Sequence, residues 1–181
     1  MQSNEKRAAY QSFIETVRAV LEDEKHPVTK MATIACLGKQ HLPTYFWVGF
    51  YCMVEGELVV GPYQGSLGCL RIALGRGVCG ASAAQRKTLV VEDVHAFADH
   101  IACDAASNSE IVVPILNKQG ELLGVFDVDS TEFGSFDAID QEFLEALMNE
   151  HFSDCDRLRR SMARDGHNLA VAIREAQSKS S

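Results

Sequence analysis

No stretch of this chain is apolar for long enough to cross a bilayer. The first residues, MQSNEKRAAYQSF, lack the apolar core that marks a secretory signal. Basic residues are also short. Lys and Arg number 17 against 25 Asp and Glu, for a formal net charge of -8 and a sequence pI near 5.2. That balance argues against nucleic acid or an anionic membrane as the main partner. The six cysteines include no pair at the tight CxxC spacing of structural zinc sites. Internal repeats and linker-like segments are missing too. What remains is the composition of a cytosolic domain, where thiols stay reduced. Its cysteines read first as buried, metal-binding or redox-active, and only last as structural disulfides. At 181 residues, 46% hydrophobic and 23% charged, the chain has the means for one well-packed core.

Tyr10, Phe13, Ile14, Val17, Val20 and Leu21 predict an amphipathic helix over about 4–23, broken by Pro27. A second helix is expected over 28–39, ended by Pro43. TYFWVGFYCMV (44–54) and ELVVGPYQG (57–65) flank Glu55-Gly56 as a hairpin. CLRIAL (69–74) and TLVVED (88–93) read as strands, with a turn and a short helix over 75–87 between them. Residues 94–109 lack a period and predict a long loop, which in a compact domain is usually functional. EIVVPIL and ELLGVFDVDS flank NKQG as another hairpin. From Phe136 the pattern is helical, with Ser135 or Asp137 as N-cap and Cys155 inside the helix. Helices, antiparallel strands and a closing helix make an α+β domain with helices packed on one face of the sheet.

The last hairpin concentrates acids. Side chains alternate along a strand, so Asp127 and Asp129 share a face with Leu123 and Val125. If NKQG is a four-residue turn, residue 116 pairs with 121, and Glu110 falls opposite Asp127 on that same face. Like charges so placed repel. Either a cation sits among them or one acid stays protonated; the bland alternative is a solvated strand end. A bound amine answers the charge better than calcium, because the neighbours are cysteines and aromatics rather than oxygen donors.

Cys36, Cys52 and Cys155 lie in core-like contexts and read as small buried hydrophobes. Cys79 follows Gly75-Arg76-Gly77 at a helix start, where backbone N–H groups and Arg76 favour a thiolate. Cys103 precedes the acid-bearing hairpin, with His100 three residues earlier. A reactive cysteine near partner cysteines is the layout of a redox catalyst or sensor. A zinc site drawn from Cys69, Cys79, Cys103, His95 and His100 is the weaker rival.

FWVGFY (46–51), LVVGPYQG (58–65), GRGVCG (75–80), DVHAFADHIACDAASNSEIVVPI (93–115) and GVFDVDS (124–130) resemble the free methionine-(R)-sulfoxide reductases, which are stand-alone GAF domains. The steps between Cys69, Cys79 and Cys103 match that family as well. The resemblance covers residues 5–153 as a GAF domain and leaves 154–181 as a C-terminal helical extension without an assigned role. It implies a six-stranded antiparallel sheet with helices on one face and a ligand pocket on the other. It further implies reduction of free L-methionine (R)-sulfoxide, thioredoxin as reductant, a homodimer, and neither cofactor nor metal. By the same resemblance Cys103 is the sulfur nucleophile, Cys69 the resolving partner and Cys79 a third thiol that attacks or relays. Glu110 handles the sulfoxide oxygen, Asp127 and Asp129 hold the ammonium, and Trp47 and Tyr51 wall the methyl end.

The chemistry is coherent on physical grounds alone. A sulfoxide sulfur becomes electrophilic when its oxygen is protonated, and an acid kept neutral by crowded neighbours can supply that proton. A GAF ligand sensor for a cyclic nucleotide or tetrapyrrole is the alternative reading. Sensors sit beside an output domain, for which 181 residues leave no room, and they need no trio of cysteines.

Overall fold

The computed structural model describes residues 3–97 and 105–158. Cys103, His100 and the extension from residue 159 onward lie outside the described residues. The chain runs α1 (Ser3–Val20), α2 (Pro27–His41), β1 (Trp47–Val54), β2 (Glu57–Gln64), β3 (Arg71–Ala73), α3 (Gly77–Gln85), β4 (Leu89–Val91), β5 (Ser109–Leu116), β6 (Leu122–Ser130) and α4 (Ala138–Phe152). The six strands form one antiparallel sheet in the order β3-β2-β1-β6-β5-β4. Among the described residues, no helix is long and apolar enough to cross a membrane.

Helical and strand periods cooperate to bury one face of this sheet. On α1 the buried stripe is Tyr10, Phe13, Ile14 and Val17, the i, i+3, i+4, i+7 pattern of a helix lying on a surface. Pro27 does not break a helix but opens α2 at its first turn, where its missing N–H costs nothing. From α4 come Leu144, Leu147, Met148 and Phe152. These meet Val48, Phe50 and Cys52 of β1, Ile111, Val113 and Ile115 of β5, and Phe126 and Val128 of β6.

The alternate residues face the other way. Trp47, Tyr51, Val112 and Val125 form a second apolar cluster with Leu58, Ile72 and the α3 residues Val78, Cys79 and Ala83. The sheet thus has a helix-covered face and a face roofed by α3, and the acids belong to the latter.

Two local expectations change. The β5–β6 turn is longer than NKQG: Leu116 pairs with Leu122, and a bulge separates that pair from Ile115–Gly124. The register therefore shifts by two residues, placing Glu110 opposite Asp129 and Val112 opposite Asp127. A shift of two preserves the face, so the three acids remain together. The extra residue is Leu123, which turns into the helix-side core rather than sharing the acids' face. Cys155 lies beyond the end of α4, half-buried against that same core.

Candidate active site

The site is assembled from β1, α3, β5 and β6. Central strand β1 pairs Trp47 with Asp129 and Gly49 with Asp127. Gly49 is required here, because a Cβ would come within 2.3 Å of the Tyr63 Cβ and 2.8 Å of the Trp47 ring. The Trp47 ring stacks on Tyr63 at 5.2 Å between centroids and on Tyr51 at 5.9 Å. Its indole Nε1 donates to the Ser66 carbonyl at 3.1 Å, which ties the β2–β3 loop to the aromatic wall. In that loop a Cβ on Gly68 would lie 3.1 Å from the Tyr51 hydroxyl oxygen and 3.3 Å from the Trp47 ring. Cys69, the next residue, packs partly buried against the same cluster and is disulfide-bonded. Cys36, Cys52, Cys79 and Cys155 are free thiols.

Cys79 on α3 reaches across the sheet to Glu110, its Sγ 3.8 Å from Oε1. Ligand-type atoms of Cys79, Glu110 and Asp127 all lie within 4.8 Å of one another. The three residues are 4%, 6% and 5% exposed. Asp127 Oδ1 is buried with no hydrogen-bond partner. Asp129 is half-buried at the margin.

Burial governs the protonation of this cluster. It is the main reason that Glu110 is held well above the usual carboxylate range, reinforced by the charges of Asp127 and Asp129. Burial also pushes Asp127 up to about 6, against hydrogen bonds to Cys79 and Glu110 that pull it down. The Cys79 thiol is raised well above its ordinary value, first by burial and then by the Asp127 and Glu110 charges. The expected thiolate at the start of α3 is therefore overturned: Arg76 is exposed, and burial together with the charges of the neighbouring acids outweighs the helix dipole. Tyr51 is likewise held in its neutral form by burial and the nearby Asp127.

Of the residues singled out from sequence, Trp47, Tyr51, Cys79, Glu110, Asp127 and Asp129 converge here, with Cys69 at the edge. His95 stands apart, exposed, with Nε2 3.0 Å from Asn108 Oδ1. Its contacts with Asn108 and the Phe133 ring are those of a loop-packing residue. Tyr63 and the Ser66 carbonyl were not anticipated. Tyr63 lies in a motif readable only as strand, and a backbone carbonyl leaves no trace in side-chain chemistry.

The description "GAF domain" fits residues 26–150 as a family match. The free methionine-R-sulfoxide reductase of Escherichia coli (strain K12) is 44% identical over 130 residues, covering 72% of this chain and 78% of that protein. A solved free methionine-R-sulfoxide reductase from Neisseria meningitidis, in complex with its substrate, is 42% identical with a TM-score of 0.77. It covers 82% of this chain and 88% of its own. The chain belongs to the free methionine-(R)-sulfoxide reductase family of GAF domains. Some relatives carry only the domain's name: GAF domain-containing protein A of Dictyostelium discoideum is 43% identical over 144 residues, 79% of this chain and 90% of that protein. Membership in the reductase family accords with a site made of a buried thiol and clustered acids, with an aromatic wall beside them.

Proposed function

We propose that this protein reduces free L-methionine (R)-sulfoxide to L-methionine by cysteine chemistry and is recycled by thioredoxin. The observation that carries the reading is Glu110, buried beside Asp127 and Cys79 next to the wall of Trp47 and Tyr51, where burial and the neighbouring acids raise it well above the usual carboxylate range. A neutral carboxylic acid in that place donates its proton to the sulfoxide oxygen as the S–O bond breaks. Cys103 is the nucleophile: its thiolate attacks the sulfur and takes over the oxygen as a sulfenic acid, while methionine leaves reduced. Cys69 then attacks the sulfenic sulfur, expelling water and closing a disulfide. The disulfide at Cys69, with four other cysteines as free thiols, supports pairing it with Cys103. A thioredoxin dithiol returns both to thiols by exchange, in the cytosol.

Cys79 takes the third-thiol role. Buried, protonated and bonded to Glu110, it is suited to holding that acid rather than to attacking first. Asp127 and Asp129 receive the substrate ammonium, and Asp127 Oδ1 has an open acceptor for it.

The test is NADPH oxidation coupled through thioredoxin reductase and thioredoxin, with the two sulfoxide epimers supplied separately. Turnover with the R epimer alone is expected, and Cys103→Ser should abolish it. Tight binding of a small ligand without R-dependent turnover would favour the sensor reading instead.

A further inference from the structure

The cluster has a property that sulfoxide reduction does not use. We propose that Cys79 Sγ, Glu110 and Asp127 form a three-ligand site for a borderline-soft divalent cation of the zinc class, which occupies the substrate-free protein in place of the ammonium. The Sγ–Oε1 separation is 3.8 Å. Zinc–sulfur and zinc–oxygen bonds of about 2.3 and 2.1 Å at a tetrahedral angle span about 3.6 Å, so this edge of the polyhedron is already in place. All three donor atoms lie within 4.8 Å, so closing the remaining edges takes shifts on the order of 1 Å from side chains whose backbones stay fixed on α3, β5 and β6. An independent observation points the same way. Asp127 Oδ1 is buried without any partner, as an oxygen awaiting a cation is.

The donor set selects the metal. Calcium takes 6–8 oxygens and magnesium keeps several waters, so neither suits two carboxylates and a thiol in a dry site. One sulfur and two oxygens suit zinc, with a fourth position left open. Cys79 would bind as its thiolate, with the divalent charge taking the place of the thiol proton. Cation and ammonium claim the same carboxylate, Asp127, so they exclude one another. That last point rests on the function proposed above; the binding itself does not.

The probe is cadmium, a spectroscopic stand-in for zinc, titrated into the full chain carrying Cys69→Ser and Cys103→Ser. This removes the redox pair and leaves Cys79 intact. One equivalent should bring up the ultraviolet sulfur-to-cadmium charge-transfer band. Adding Cys79→Ser should erase the band, and Asp127→Asn should weaken binding by more than about tenfold, the effect even an outer-shell partner can have. Glu110→Gln carries the same test if Cys79→Ser does not fold, since it replaces a ligand by an isostere. No band, a band that survives Cys79→Ser, or a titration indifferent to Asp127→Asn and Glu110→Gln would each overturn the site. Free methionine (R)-sulfoxide should displace the metal. If the metal binds as described and the sulfoxide fails to displace it, the site stands and the ammonium assignment falls.

Discussion

Asp127 shows how a functional site is kept at the expense of stability. One of its oxygens is buried without a partner, and burial pushes the group up to about 6 from an ordinary 3.8. A carboxyl whose folded-state value is raised binds its proton more tightly when folded. The stability that this one group contributes is therefore fully present below 3.8 and is lost as pH rises through about 6. Asp127→Asn removes the charge at nearly constant shape. Melting curves from pH 4 to 8 should show the variant gaining on the parent through that window and remaining more stable above it, by about 1–3 kcal/mol, the usual cost of an unsatisfied buried polar group. The same variant should lose most of its kcat/KM for the free sulfoxide. Glu110→Gln tests the neighbouring acid: it keeps the shape and loses the proton donor, so kcat should fall by about 10²–10⁴-fold with KM changing little. The acids were legible in the sequence because a period of two places Asp127 and Asp129 on one face, and the actual register differs from the expected one by an even number, which keeps Glu110 with them. The state of Cys79 was not, because a helix start favours a thiolate and only the packing of β5 and β6 against α3 reveals the burial that reverses it.

Secondary elements were readable where periodicity was long and misread where one residue decides. The stripes of α1 and α4 and the alternation in β1 determine which residues enter the core, and they do so in the structure except at Val20, the last residue of α1, which is 59% exposed. The bulge at Leu123 could not be read, because LLGVF is equally apolar in either register and only the longer turn selects one. The start of α4 was legible as a choice between Ser135 and Asp137, and the structure chooses Asp137 in a capping box with Asp140. Asp140 has further duties. Its Oδ2 meets the Lys6 ammonium at 2.5 Å, and its Oδ1 accepts the Tyr10 hydroxyl at 2.7 Å. Tyr10 lies 2.8 Å from the Tyr45 hydroxyl, so α1, α4 and the approach to β1 meet in one buried network. Tyr10→Phe should cost about 1–3 kcal/mol by leaving two buried groups short of a partner. Asp140→Ala should cost more, since it also removes the reciprocal half of the capping box and leaves Lys6 half-buried with only Asp137 and the Ser135 carbonyl. Denaturant unfolding measures both losses. The network lies on the helix-covered side, so kcat in the Tyr10→Phe variant should be unchanged at a temperature where it remains folded.

On the scale of the whole molecule, the sheet separates two kinds of interior. One face is apolar and sealed by α1, α2 and α4; the other is aromatic at one side, acidic at its centre and roofed by α3. Under the function proposed above, such a division decides which form of the substrate is accepted. An α-ammonium brings a charge and three donors to Asp127 and Asp129. A peptide-bonded or acetylated nitrogen brings one donor and no charge, and leaves buried carboxylates uncompensated. Sites built to pair with a polar group reject analogues lacking it by about 10⁴–10⁵-fold, whereas a missing methylene costs far less. N-acetyl-methionine (R)-sulfoxide should therefore be reduced at least about 10³-fold less efficiently than the free amino acid in the thioredoxin-coupled assay. The discrimination should shrink in Asp127→Asn, because that variant loses rate with the free substrate and has less buried charge to leave unpaired with the blocked one. Equal turnover of both substrates by the parent protein would mean that the acidic centre does not read the amino end, and the role assigned to Asp127 would fall with it.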